Sequence, residues 1–235
     1  PVKHVLDQCE EKKVYVAITD HNTITGVLRA YQDPRKKWVI PGIELTVKEG
    51  KDVLVYFYNI SDLKKWFEEK VKPHTKRKTS LQLNKTSYPM ADFLRELPHD
   101  KCVVVLPHPC CARAKSTYHY FRKEKNEHLL KYIDAIEVIN ETMTRKSNLA
   151  ALGWAISLGK PLTAGSDGHR KDRVGEAITY AKATSKKEFL DCIKNGETFV
   201  QGQELKPNQR VMAGVNIVFQ KSRVRNNLKL DSEEL

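Results

Sequence analysis

Apolar residues along this chain fall into short runs separated by stretches of helical spacing. Runs rich in β-branched and aliphatic side chains occupy residues 14–19, 38–45, 53–58, 101–106, 135–139, 161–164 and 177–180, and each predicts a strand. Val103, Val104, Val105 and Leu106 follow one another without a polar break, the pattern of a strand covered on both faces. Between these runs, residues 2–12, 25–32, 61–71, 90–97, 124–132, 147–158 and 186–195 read as helices. The last carries its own punctuation: Ser185 with Glu188 forms a capping box, and Gly196 supplies a left-handed stop. Alternation of strand and helix predicts an α/β domain. Because no Gly-rich dinucleotide loop follows the first strand, a barrel is favoured over an open sheet. In such barrels the chemistry sits at the C-terminal ends of the strands.

Two segments break the rhythm. Residues 72–88 are polar and basic and read as a long loop, suited to a lid or a substrate contact. Residues 203–235 are mixed in character and are expected to form a C-terminal extension, part of it disordered, after a single hydrolase-like domain over residues 1–202. Composition adds a direction. With 41 Lys and Arg against 29 Asp and Glu, the formal charge is +12, a field that attracts polyanions such as phosphate esters, nucleotides and nucleic acid. No run of about 18 apolar residues occurs, so neither a membrane span nor a leader is expected. Five scattered cysteines in a chain of this size argue against a disulfide framework and for a reducing, cytoplasmic setting. The oligomeric state is not legible.

Acidic and imidazole side chains stand at the downstream ends of four predicted strands. Residues 14–19 lead into Asp20 and His21, residues 39–42 into Glu44, residues 103–106 into His108, and residues 161–164 into Asp167 and His169. One such residue alone would be a cap or turn residue; six converging on one mouth change the reading. Ionised carboxylates gathered away from water repel one another and are costly unless a cation joins them. Oxygen and imidazole donors together suit Mn²⁺, Zn²⁺ or Fe²⁺.

The segments Ile18-Thr-Asp-His-Asn-Thr-Ile-Thr-Gly26, Pro41-Gly-Ile-Glu44, Leu106-Pro-His-Pro109, Ile136-Glu-Val-Ile-Asn140 and Gly165-Ser-Asp-Gly-His169 resemble successive motifs of the PHP (polymerase and histidinol phosphatase) superfamily. The resemblance implies a distorted (β/α)7 barrel of seven strands that binds two or three divalent metal ions, Mn, Zn or Fe, and hydrolyses phosphate esters by metal-activated water. It further implies that His21, Glu44, His108, Asp167 and His169 are ligands, Glu44 bridging two ions, with Asp20 as a conditional ligand. Asn140 is implied near the substrate. The substrate would be a phosphomonoester, a nucleotide or an oligonucleotide end. Two departures stand out. The family's upstream His-x-His pair and following Asp do not precede His21 here and are expected in a longer parent chain. Asp52 stands where relatives commonly carry a His, and is a conditional ligand with a preference for harder ions. A catalytically incomplete module that binds metal or nucleic acid, and an amidohydrolase-like enzyme, are the alternative readings.

Other candidates carry less. Cys110 and Cys111 follow His108-Pro109 but lack a second pair at zinc-site spacing, which favours loop packing over ligation. Cys9, Cys102 and Cys192 read as core. His74 lies in a basic stretch and reads as a solvated loop residue, while His99, His119 and His128 have no evident partner. Of Arg113, Lys115, Arg145 and Arg170, all downstream of site-bearing strand ends, Arg145 and Arg170 are preferred as phosphate clamps. No aromatic side chain interleaves the basic loop, so no stacking platform is expected.

Overall fold

The computed structural model describes residues 2–75, 85–168, 173–206 and 209. Helix α1 (Val2–Lys12) leads to strand β1 (Val16–Ile18), helix α2 (Thr25–Ala30), strands β2 (Val39–Thr46) and β3 (Asp52–Phe57), and helix α3 (Ile60–Trp66). Helix α4 (Met90–Glu96), strand β4 (Cys102–Leu106), helix α5 (Thr117–Arg122), strand β5 (Ala135–Asn140) and helix α6 (Arg145–Leu158) follow. Strands β6 (Leu162–Gly165) and β7 (Ile178–Tyr180), helix α7 (Lys186–Asn195) and strand β8 (Phe199–Gln201) complete the order.

Strands β1 to β6 lie side by side in sequence order as a six-stranded half-barrel. Pairs β1·β2, β4·β5 and β5·β6 are parallel, whereas β3 runs antiparallel to both neighbours. The reason is the connection: residues 47–51 are too few to hold the crossover that a parallel pair requires, so β2 returns as a hairpin. The expectation of seven barrel strands is corrected in the same way. Strand β7 pairs with β8 in a separate two-stranded sheet, although Thr179 Oγ1 still bonds the backbone of Ala164 in β6 at 2.8 and 3.1 Å.

Both faces of the sheet are covered, which accounts for the unbroken apolar run of β4. Val104 and Leu106 enter the larger core on the convex side with Ile43, Val55, Phe93 and Trp154. Val103 and Val105 face the concave side with Ile40, Leu54 and Ala135, where Leu190 and Ile193 of α7 close over them. Helix α7 can do this because its ends are fixed. Ser185 Oγ accepts from Glu188 N at 3.1 Å, the Glu188 carboxylate accepts from Thr184 N at 2.7 Å, and Gly196 takes φ +74°.

The helix expected over 124–132 is a 3₁₀ segment, Glu127–Tyr132, and the true helix lies earlier, at α5. Tyr, His and Phe in Thr117–Arg122 mask it as strand-like; Ser116 starts it by accepting from His119 N at 3.1 Å. Likewise the expected helix over 61–71 ends as a π-helical turn, Phe67–Val71. Of the expected loop over 72–88, residues 76–84 lie outside the described residues, as do residues 210–235 of the expected extension. Among the described residues no helix is long and apolar enough to cross a membrane.

Candidate metal centre

Glu44, Thr46 and Asp52 lie on the face of the sheet that also carries Leu54. Parallel register joins Val16 to Val39 and Ile18 to Pro41, and the same offset continues past the end of β1 as an isolated bridge from His21 to Glu44. Glu44 and Thr46 share a face, and Thr46 sits opposite Asp52 in the β2·β3 hairpin. His21, Glu44 and Asp52 therefore converge, each offering a ligand atom within 4.8 Å of the others. The reversal of β3 matters here, because it brings the first residue of that strand, not the last, to the mouth.

Their surroundings orient them. Thr46 Oγ1 donates to Asp52 Oδ1 at 2.6 Å and lies 3.4 Å from His21 Nδ1. The other ring nitrogen, Nε2, lies 3.6 Å from Glu44 Oε2. Asp52 is buried at 1% exposure and Glu44 at 7%. His108 enters from the end of β4, its Nε2 at 3.3 Å from Glu44 Oε1 and 3.9 Å from Asp52 Oδ2. Burial alone would pull the His108 pKa down. The Cys111 sulfur, Glu44 and the charge of Asp167 outweigh it and hold the ring well above its ordinary value. From outside, the exposed Lys115 ammonium reaches within 3.5 Å of Asp52 Oδ2.

A second group lies beside the first. Asp167 accepts from Thr142 Oγ1 at 3.0 Å and Asn140 Nδ2 at 3.5 Å. Asn140 Nδ2 also donates to Glu137 Oε2 at 2.9 Å, and the same oxygen accepts the His108 backbone N–H at 2.7 Å. A bulge between Glu137 and Ile139 turns Asn140 toward Glu137. Burial is the main cause pushing the Glu137 carboxyl up to about 7. Gly165 makes room for it, since a Cβ there would lie 2.5 Å from Glu137 Oε1. Asn22, His108 and Asp167 all hold positive φ, at 58°, 32° and 45°, a concentration of backbone strain at the mouth.

Of the residues singled out in the sequence, His21, Glu44, Asp52 and His108 thus meet in one group, and Asp167 and Asn140 adjoin it through Glu137. Asp20 points elsewhere: its Oδ2 accepts from Gly26 N at 2.9 Å and braces the start of α2. The Arg145 side chain is 81% exposed and lies 3.8 Å from Glu204. His169 and Arg170 lie outside the described residues. Sequence reasoning missed Glu137, Thr46 and Thr142 as site residues; a lone Glu inside the apolar run of β5 was the available signal. Two carboxylates and two imidazoles, the carboxylates buried, fit a divalent cation by donor chemistry.

Residues 145–198 match the model of a family described as PHP-associated. PsfC from Pseudomonas syringae PB-5123 superposes with a TM-score of 0.56 at 16% identity, over 94% of this chain and 88% of that one. A two-domain protein from Bacteroides vulgatus ATCC 8482, containing a predicted PHP-like metal-dependent phosphoesterase, superposes with a TM-score of 0.60 at 13% identity, over 86% and 60%. The chain has the fold of the PHP superfamily. Endonuclease Q, in complex with a 27-mer duplex substrate with an abasic lesion at its active site, carries this fold too, with a TM-score of 0.57 at 16% identity over 82% of this chain. This chain spans about half of that endonuclease, at 51%. A comparison with curated proteins finds no match.

Proposed function

We propose that this chain is a divalent-metal-dependent hydrolase of phosphate esters. The observation that carries the reading is the convergence of His21, Glu44 and Asp52, with His108 3.3 Å from Glu44, at one end of a PHP-type half-barrel. Similarity in fold to PHP-like phosphoesterases and to endonuclease Q supports the reaction class. Divalent ions bound there supply Lewis acidity toward a phosphoryl oxygen and lower the pKa of water. The chain's own residues prepare the site for them. Thr46 holds the His21 ring at Nδ1, and Glu137 holds the His108 backbone, so the donors need little reorganisation. His108 carries a proton when the carboxylates have no other counter-charge, and it gives that proton up on becoming a ligand. Cation affinity accordingly rises with pH. Asp167 and His169 are proposed to complete the ligand set, with the net charge of +12 favouring a nucleotide or nucleic-acid substrate.

Titration of the protein with Mn²⁺ in a calorimeter, alongside hydrolysis of bis(p-nitrophenyl) phosphate, tests this. Glu44→Gln is expected to weaken Mn²⁺ by about 100-fold or more, beyond the cost of losing an outer partner, and to abolish turnover. Unchanged Mn²⁺ affinity in that variant would overturn the site assignment. Tight Mn²⁺ binding without hydrolysis of any phosphate ester would instead leave a binding module.

A further inference from the structure

We infer that the groove between residues 110–116, α5 and α6 binds a nucleotide unit adjoining the scissile phosphate, an inference that rests on the phosphoesterase reading. The groove holds about 690 Å³, within the range of small-molecule sites, and borders the metal centre at Cys111. Cys111, on its lip, touches the His108 imidazole through its sulfur and donates its backbone N–H to His108 O at 3.1 Å.

Two cations edge it. Arg113 Nε donates to His119 Nε2 at 3.3 Å, which fixes both side chains while engaging one of five guanidinium donors. Arg122 adds the second, shared with Glu127 at 3.3 Å. An arginine fork steadied in this way suits bidentate capture of phosphate. One wall is of a different kind. Tyr118 is partly exposed and packs edge-on against the buried Trp154 at 5.2 Å between centroids, which presents an aromatic surface beside the cations. The stacking platform missing from the basic loop is supplied by α5, which the sequence hid.

Gly153 gives an independent reason. It lies inside α6, exposed, and a Cβ at that position would meet nothing within 4 Å. Glycine within a helix costs stability relative to alanine, so neither backbone nor packing calls for it here. The groove does, because Gly153 lines it and any side chain would fill it. Cationic rim, aromatic wall and open floor together match a phosphate joined to a planar base more closely than a bare anion or an acidic peptide.

The test uses the full chain with two variants, Arg113→Glu and Gly153→Leu, and fluorescein-labelled oligothymidylate as probe. Binding is read by anisotropy in chelator, so that the probe stays intact. Both variants are expected to bind the oligonucleotide about tenfold or more weakly, Arg113→Glu also lowering the slope of log affinity against log salt by about one. Hydrolysis of bis(p-nitrophenyl) phosphate in Mn²⁺, which needs no flanking nucleotide, should stay unchanged in Gly153→Leu. The Tm of Gly153→Leu should hold or rise, which separates blockage from misfolding. Wild-type affinity in both variants, no binding by the wild type, or equal competition from polyglutamate would overturn the inference. Failure of the wild type to hydrolyse the small ester would count against the phosphoesterase reading alone, since the groove is measured by binding.

Discussion

On the inner face of β5, Glu137 has the His108 N–H and the Asn140 amide on one oxygen and the bare Cα of Gly165 against the other. Its carboxyl titrates near 7 in the folded chain, against an ordinary value of 4.5. Over that window the folded protein keeps a proton that the unfolded chain has lost. Stability of the metal-free protein therefore falls as pH rises from 4.5 to 7, by about 1.4 kcal/mol per unit and roughly 3 kcal/mol in all. Glu137→Gln retains a carbonyl acceptor and should flatten that fall, measured by urea unfolding in chelator at stepped pH; an unchanged slope would refute the assignment. His108, also raised, adds stability that is present below pH 6.5 and lost as pH climbs through its folded value, so some decline persists in the variant above 6.5. At this scale the sequence was informative about His21, Glu44 and His108, whose places at strand ends are a matter of local pattern. It was silent on Glu137, because only the bulge and Gly165 turn an isolated strand glutamate into the support of a ligand.

At the scale of elements, the segment after β4 is held by an unusual anchor. Lys51, 5% exposed, donates from Nζ to Ala114 O at 2.7 Å and to Arg113 O at 3.5 Å. A buried ammonium on two carbonyls ties the β2·β3 hairpin to the segment that presents Lys115 to the mouth and Arg113 to the groove. Lys51→Met preserves the stem and removes the donor. It should cost about 1–3 kcal/mol and speed amide exchange over residues 110–116, while exchange in β5 stays as it was. Periodicity located nearly every helix and strand here, and Ser185, Glu188 and Gly196 gave α7 its ends. Strand direction was another matter. Spacing of apolar residues is the same for a strand running either way, so Asp52, a conditional ligand by resemblance, is brought to the mouth by a reversal of β3 that the pattern did not contain.

For the whole molecule, a cation at His21, Glu44 and Asp52 would pin β1, β2 and β3 together, with β4 joined through His108. A ligand that binds only the folded state stabilises it by mass action, about 2.7 kcal/mol at a hundred times its dissociation constant. Mn²⁺ is thus expected to raise Tm, more at pH 8 than at pH 6 because His108 must lose its proton; a Tm indifferent to Mn²⁺ at both values would contradict the proposed centre. The α/β class was legible from alternation alone. Closure of the barrel was not, because residues 178–180 carry the same β-pattern whether they extend the main sheet or pair with β8. The β2·β3 hairpin also bears on how the chain folds. Glu44 and Asp52 belong to the most local strand pair in the sheet, the kind that forms early because little loop entropy opposes it. Their like charges meet before His108, from a distant strand, arrives to balance them, so the nascent hairpin carries a repulsion that only later-folding segments or a captured cation relieve.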